Sequence, residues 1–166
     1  APPMIADHSN AGRRRVMVSG RSSLGARPVA SLLRGFSAPV ILDRKKTSAE
    51  RAFLLAHDSD SFNRWEAARA MALEALMGAQ PVAPFAEALR LAIADATLDP
   101  AFRALLLTLP GDDELARETW ARGRQADPDA IHAASETAKA ALAKALEPEL
   151  RALYTAMESP GPYSPD

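Results

Sequence analysis

Three histidines are the residues of this chain best suited to chemistry: His8, His57 and His132. Zinc hydrolases often hold two histidines at helical spacing, as in H-E-x-x-H, so that both rings meet one metal from one helix face. None of the three has a second histidine three to five residues away. The densest cluster of ligand-type residues is HDSD, His57 to Asp60. As a site it would bind a cation weakly. As structure it is a turn between two helices, with Asp58, Ser59 and Asp60 competing to cap the second. Capping accounts for these residue types, so the turn is the reading adopted. His132 falls in the first turns of a helix among alanines and reads as a surface or packed histidine rather than a base.

Other patterns fail at a definite step. GRSSLG, Gly20 to Gly25, has the glycine spacing of a phosphate loop, but Ala26-Arg27 stands where Lys-Ser/Thr is needed. It reads as a loop. No G-x-S-x-G elbow is present, so serine hydrolase chemistry has no anchor. Arg13, Arg14 and Arg15 form a basic run. RNA binding through them would be strongly salt-dependent, but a run of three in a near-neutral chain reads as a solvated strand end or loop. Trp65 and Trp120 fall on apolar helical faces and are expected in the core. Asp112-Asp113 and Glu147/Glu149 are expected at helix starts, where the macrodipole favours acids. We assign no catalytic, cofactor-binding or metal-binding residue to this chain.

Composition narrows the classes further. Hydrophobic residues are 48% and charged residues 25%, an ordinary globular balance, while aromatics are only 5%. Much of the apolar content is Ala, which favours closely packed helices. A net charge of −1 supplies no field to attract nucleic acid or an anionic membrane. There is no Cys, which excludes disulfides and thiolate chemistry and fits a cytoplasmic protein. No apolar run approaches bilayer length. The N-terminus, APPMIADHSN, lacks the charged and apolar regions of a signal peptide and an initiator Met. Processing or excision from a longer chain would each account for the missing Met.

The elements that must position these residues change near residue 45. Residues 1–44 hold short apolar runs, Arg15 to Val18 and Pro39 to Leu42, that read as strands bounded by turn residues. Two short strands make no stable sheet, so this part needs a partner. From Thr47 the pattern is helical. Thr47 and Glu50 have capping-box spacing and open a helix ending near His57. A second helix begins at Asp60 or Ser61, with a stripe of Trp65, Ala68, Ala72 and Leu76, and stops at Gly78 and Pro81. A third carries Phe85, Leu89, Ala92 and Ala96, with Pro84 in its first turn. Asp99-Pro100 and Asp127-Pro128 each place an acceptor at N-cap and a proline at N1. Leu105, Leu106 and Leu109 follow the first pair, and a short helix with Leu115 and Trp120 lies between them. Pro148 would cost about 3 kcal/mol inside a helix, so a break is expected there, before a last helix with Leu150, Leu153, Tyr154 and Met157.

Several strings in this pattern resemble a known family in collinear order. PVASLLRGFSAPVIL, Pro28 to Leu42, resembles the segment that closes the small β-sandwich domain of bacterial aminopeptidase N. FLLAHDSDSFNRWEAARAMA, Phe53 to Ala72, resembles that family's first helical hairpin after the sandwich. DPAFRALLLTLPGDDELA, Asp99 to Ala116, and the stretch Ala126 to Met157 are similar to the helices that follow. The resemblance covers residues 28–158. The family comprises zinc metallopeptidases that remove N-terminal residues from peptides. An H-E-x-x-H helix and a distant Glu hold their zinc, and a G-x-M-E-N motif recognises the substrate's amino terminus. None of these motifs occurs here, so no site residue carries over.

The expected fold is therefore mostly α: a bundle or hairpin array of about seven helices with a short β remnant at the N-terminus. Residues 1–44 are the remnant, 45–158 the first part of the helical C-terminal domain, and 159–166 an irregular tail. The resemblance implies a non-catalytic segment of a zinc-dependent aminopeptidase that packs on the catalytic domain and helps enclose its cavity. Zinc and peptide substrates belong to the parent enzyme and none binds this segment. Its partners are the remaining domains of its own chain, with no nucleic acid and no membrane. Apolar faces left by separation would let the isolated segment self-associate. The rival reading is a free-standing helical protein-interaction module.

Overall fold

Side-chain caps determine where most of the helices begin. The computed structural model describes residues 29–36, 46–158 and 161. The strands expected at 15–18 and 39–42, the GRSSLG loop and the Arg13–Arg15 run lie outside these residues. A short 3-10 turn, Arg34–Phe36, precedes six α-helices: α1 Ser48–His57, α2 Ser61–Leu76, α3 Val82–Ala94, α4 Pro100–Leu106, α5 Asp112–Ala121 and α6 Pro128–Met157. The mostly helical class expected from the sequence is the class observed.

Thr47 and Glu50 form the full capping box: Glu50 N–H donates to Thr47 Oγ1 at 3.2 Å and Thr47 N–H to Glu50 Oε2 at 2.9 Å. Asp60 opens α2 by accepting from Asn63 N–H at 2.9 Å. Asp99 and Asp127 cap α4 and α6, each with proline in the first turn. α2 closes at Gly78, whose φ of 66° is the left-handed conformation that a C-terminal cap requires. Ala79 N–H then bonds Glu74 O at 2.8 Å, and Gly78 N–H bonds Ala75 O at 3.0 Å.

The main core lies between α1, α2 and α3 and is closed by α4 and α6. Leu55, Leu89 and Ile93 are wholly buried, with Leu54, Met71, Phe85 and Leu106 around them. Much of α2's contribution is alanine: Ala67, Ala68, Ala72 and Ala75. Such small side chains let helix axes come close, and dispersion contacts then accumulate along the seam. A smaller cluster of Leu76, Leu115 and Ala138 joins α2, α5 and α6.

One buried cation crosses this assembly. Arg64 of α2 is 5% exposed. Its Nε donates to Leu55 O and its Nη2 to Ala56 O, both at 2.9 Å, while Nη1 meets Asp95 Oδ2 at 3.3 Å. Leu55 and Ala56 are in the last turn of α1, where carbonyls have no helical amide to accept from. A guanidinium there satisfies them and complements the helix dipole. The stripe read from the sequence ran through Trp65 and missed Arg64 and Asn63, both buried.

Four expectations need correction. α6 does not break at Pro148 but runs for 30 residues, so there are six α-helices among the described residues rather than seven. Pro148 has no amide for the carbonyl of Lys144. Packing outweighs that loss: Leu142 and Leu146 are buried before the proline, and Leu150 and Leu153 pack on the core after it. Arg90 of α3 also grips the spot, donating to Ala145 O and to Glu149 Oε1, both at 2.6 Å. As a result Glu147 and Glu149 are inside a helix, not at its start. Trp120 is 74% exposed, because α5 turns Leu115 and Thr119 inward and ends one residue later. Ala96 lies beyond α3, which stops before Asp95. Trp65 is half-buried against the core, with the Arg69 guanidinium 5.5 Å from its ring.

Removing Arg64 leaves two carbonyls at the end of α1 without donors. Arg64→Ala is expected to lower stability by about 3 kcal/mol, and Arg64→Lys to recover only part, since an ammonium cannot fork to both carbonyls. Urea denaturation of the variants checks this. An unchanged midpoint for Arg64→Ala would contradict the assigned role.

Candidate functional site

The residues that looked most like a metal cluster hold the chain together instead. Asp58 has a side chain only 1% exposed. Its Oδ1 accepts from Arg34 Nη1 at 3.0 Å and from Asp60 N–H at 2.9 Å. Arg34 Nη2 also donates to Ser59 Oγ at 2.7 Å. Asp60 accepts from Gly35 N–H at 2.7 Å through Oδ2 while its Oδ1 caps α2. Asn63 Nδ2 completes the set, donating to Ser31 Oγ at 3.1 Å.

This joint brings together two strings singled out in the sequence, SLLRGF and HDSDSFNRW. Local backbone geometry makes the meeting feasible. Gly35 has φ 63°, which turns its N–H toward Asp60. Leu33 has φ 56°, a left-handed conformation costly for a leucine and held here by the contacts on either side of it. The carboxyl of Asp60 is held below its ordinary value of 3.8 by the N–H groups of Asn63 and Gly35 and by the Arg34 charge.

The remaining candidates are placed as follows. His57 is exposed at the end of α1, its ring 5.0 Å from that of Phe53. His132 is exposed near the start of α6, and its Nδ1 is 2.7 Å from Asp112 Oδ2 of α5. That carboxylate holds the imidazole pKa above its ordinary 6.5, and the imidazole in turn lowers that of Asp112. His8 lies outside the described residues. A cleft of about 190 Å³ between α2, α5 and α6 is lined by Leu76, Met77, Leu115 and Ile131, with Arg124 and Asp127. Asp127 is already engaged as the cap of α6. Among the described residues no three His, Cys, Asp or Glu side chains are grouped to hold a metal ion. They do not fit a resident zinc, and no step of zinc chemistry is assigned to them. No helix among them is long and apolar enough to cross a membrane.

Residues 48–166 match the family model described as a domain of unknown function (DUF3458_C) with ARM repeats. The chain belongs to the DUF3458_C family. It is also similar to aminopeptidase N of Caulobacter vibrioides, 40% identical over 146 residues that cover 84% of this chain and 16% of that one. Aminopeptidase N of Escherichia coli is 34% identical over 139 residues, covering 78% and 16%. The crystal structure of Legionella pneumophila aminopeptidase A in complex with aspartic acid has a similar fold, with a TM-score of 0.62 and 25% identity. That match covers 83% of this chain and 17% of the other. The chain thus spans 16% of the length of each of these two curated relatives. The likeness to aminopeptidase N found in the residue strings holds across most of this DUF3458_C chain.

Sequence reasoning found Asp58, Ser59 and Asp60 but not their partner. Arg34 is 24 residues from Asp58, and no periodicity links a residue before α1 to a turn after it. Two pH effects follow for the DUF3458_C domain. Asp60 has a depressed pKa when folded, so its stabilising share is complete above about pH 4 and is lost as pH falls through the lowered value. The protection factor of the Gly35 amide, the intrinsic exchange rate at a given pH divided by the observed one, should therefore fall on acidification, and Asp60→Asn should remove that pH dependence. His132 has a raised pKa, so its contact with Asp112 contributes fully below pH 6.5 and is lost as pH rises through the folded value. Titration of the His132 ring by NMR should move toward 6.5 in Asp112→Asn. A ring that titrates identically in both proteins would remove Asp112 as the cause.

Proposed function

We propose that this chain is the junction and first part of the helical C-terminal domain of a larger zinc-dependent aminopeptidase. The parent removes N-terminal residues from peptides, using zinc to polarise the scissile carbonyl and to activate water. The observation that carries the reading is 40% identity to aminopeptidase N over 84% of the chain. The chain's own contribution is non-catalytic. Its helices pack on the catalytic domain and help enclose the active-site cavity, restricting it to free peptide ends. Its partners are the other domains of the same polypeptide, and the protein works in the cytoplasm.

The geometry supports this reading through the joint. Arg34, Asp58 and Asp60 fasten the segment before α1 to the α1–α2 turn, as expected where a helical domain must be held at a fixed angle to whatever precedes it. Aminoacyl-anilide hydrolysis is the test. The complete polypeptide should cleave the anilide, lose activity to a chelator and regain it with Zn²⁺, while the 166-residue chain alone stays silent. Turnover by the short chain would overturn its non-catalytic role. Silence of the complete polypeptide would favour a free-standing interaction module.

A further inference from the structure

The first helix has two apolar faces, and the core uses only one. Leu54 and Leu55 point inward and are 2% and 0% exposed. On the opposite side Ala49, Phe53 and His57 are exposed in a single stripe at i, i+4 and i+8, with Ala56 half-buried beside them, while Ala52 packs on the core. This is the spacing of a helix face that meets another surface. Phe53 is 52% exposed, and its ring lies 5.0 Å from that of His57. The helix's charged side chains are engaged elsewhere: Glu50 caps the N-terminus, and Arg51 bonds Glu74 of α2 at 2.6 Å. No Lys, Arg, Asp or Glu therefore stands on the outward stripe.

We infer that the outward face of α1, anchored by Phe53 and His57, is the docking surface for the domain that precedes Val29 in the same polypeptide. The inference rests on the reading of this chain as one part of a longer protein. Two observations choose this occupant. The stripe ends at His57, next to Asp58, where Arg34 pins the incoming segment. Whatever is joined ahead of Val29 is thus tethered at the edge of this face, at an effective concentration that favours intramolecular contact. The chain also spans only 16% of its aminopeptidase N relatives, which leaves ample polypeptide to supply such a domain. The occupant must offer an uncharged, apolar surface. The alanines allow its backbone close to α1, while Phe53 supplies the buried area.

Thiol labelling of the complete polypeptide tests this. Phe53→Cys and Ala49→Cys are made separately, and each site is followed by mass spectrometry of its peptide. The second variant keeps the aromatic anchor, so it reports the covered face even if losing Phe53 opens it. Both sites should react at least about tenfold more slowly than in the same polypeptide unfolded in denaturant. Reaction of both at the unfolded rate would overturn the inference. So would protection that disappears on dilution, which assigns the face to a second copy. Anilide hydrolysis by the same preparations separates this idea from the proposed function. An inactive polypeptide with protected cysteines would sink the peptidase reading alone, and an active one with reactive cysteines would sink the docking surface alone.

Discussion

The Arg64 guanidinium is the contact on which the arrangement of the first three helices depends. It is a charge placed where water cannot reach, which is costly unless every donor is answered. Two answers come from carbonyls at the end of α1 and one from Asp95 just past α3. Apolar contacts are non-directional, so a seam of alanines restrains the register of a helix less sharply than directed hydrogen bonds do. A buried guanidinium supplies such bonds, since its donors have fixed directions. The alanine-rich seam of α2 therefore supplies cohesion, and Arg64 supplies the register.

The same logic recurs at the other polar contacts between elements. Arg34 meets Asp58 at the joint, Arg51 meets Glu74 between α1 and α2, Arg69 meets Glu114 between α2 and α5, and Arg90 meets Glu149 between α3 and α6. Each joins one element to another and is at least partly shielded from water, unlike the i,i+4 pairs Arg117–Asp113 on α5 and Arg151–Glu147 on α6. Exposed pairs of that second kind add little stability. The inter-element pairs suit a stacked helical domain, whose neighbours must be held at set angles if the domain is to present a defined surface.

On the proposed function, the chain contributes this construction rather than a reactive group. That proposal rests on membership of the DUF3458_C family and on the likeness to aminopeptidase N over most of the chain. The HDSD turn shows how easily such a part is misread. Its acids look like ligands in one dimension, but in three they receive an arginine, a glycine amide and two helix-start amides. Asp58 Oδ1 and both oxygens of Asp60 are committed to these bonds, and among the described residues no third ligand-type side chain is grouped with them to hold a metal ion.

Much of the fold was legible because its signals are local. Thr47-Glu50, Asp60, Asp99-Pro100 and Asp127-Pro128 act within four residues, and each stands where expected. The helix stripes and the stop at Gly78 are equally short-range. What the sequence could not determine by itself depends on residues far apart. Pro148 argues for a break by every local rule, yet α6 continues because Leu142, Leu146 and Arg90 hold it from outside. Trp120 has the composition of a core residue, but the helix turns it to solvent. Arg64 looks like a surface charge until α1 and α3 close over it. Local hydrogen bonding determined where the helices start. Only tertiary packing decided which of their residues carry the structure, because burial is a property of neighbours that the chain brings together after folding.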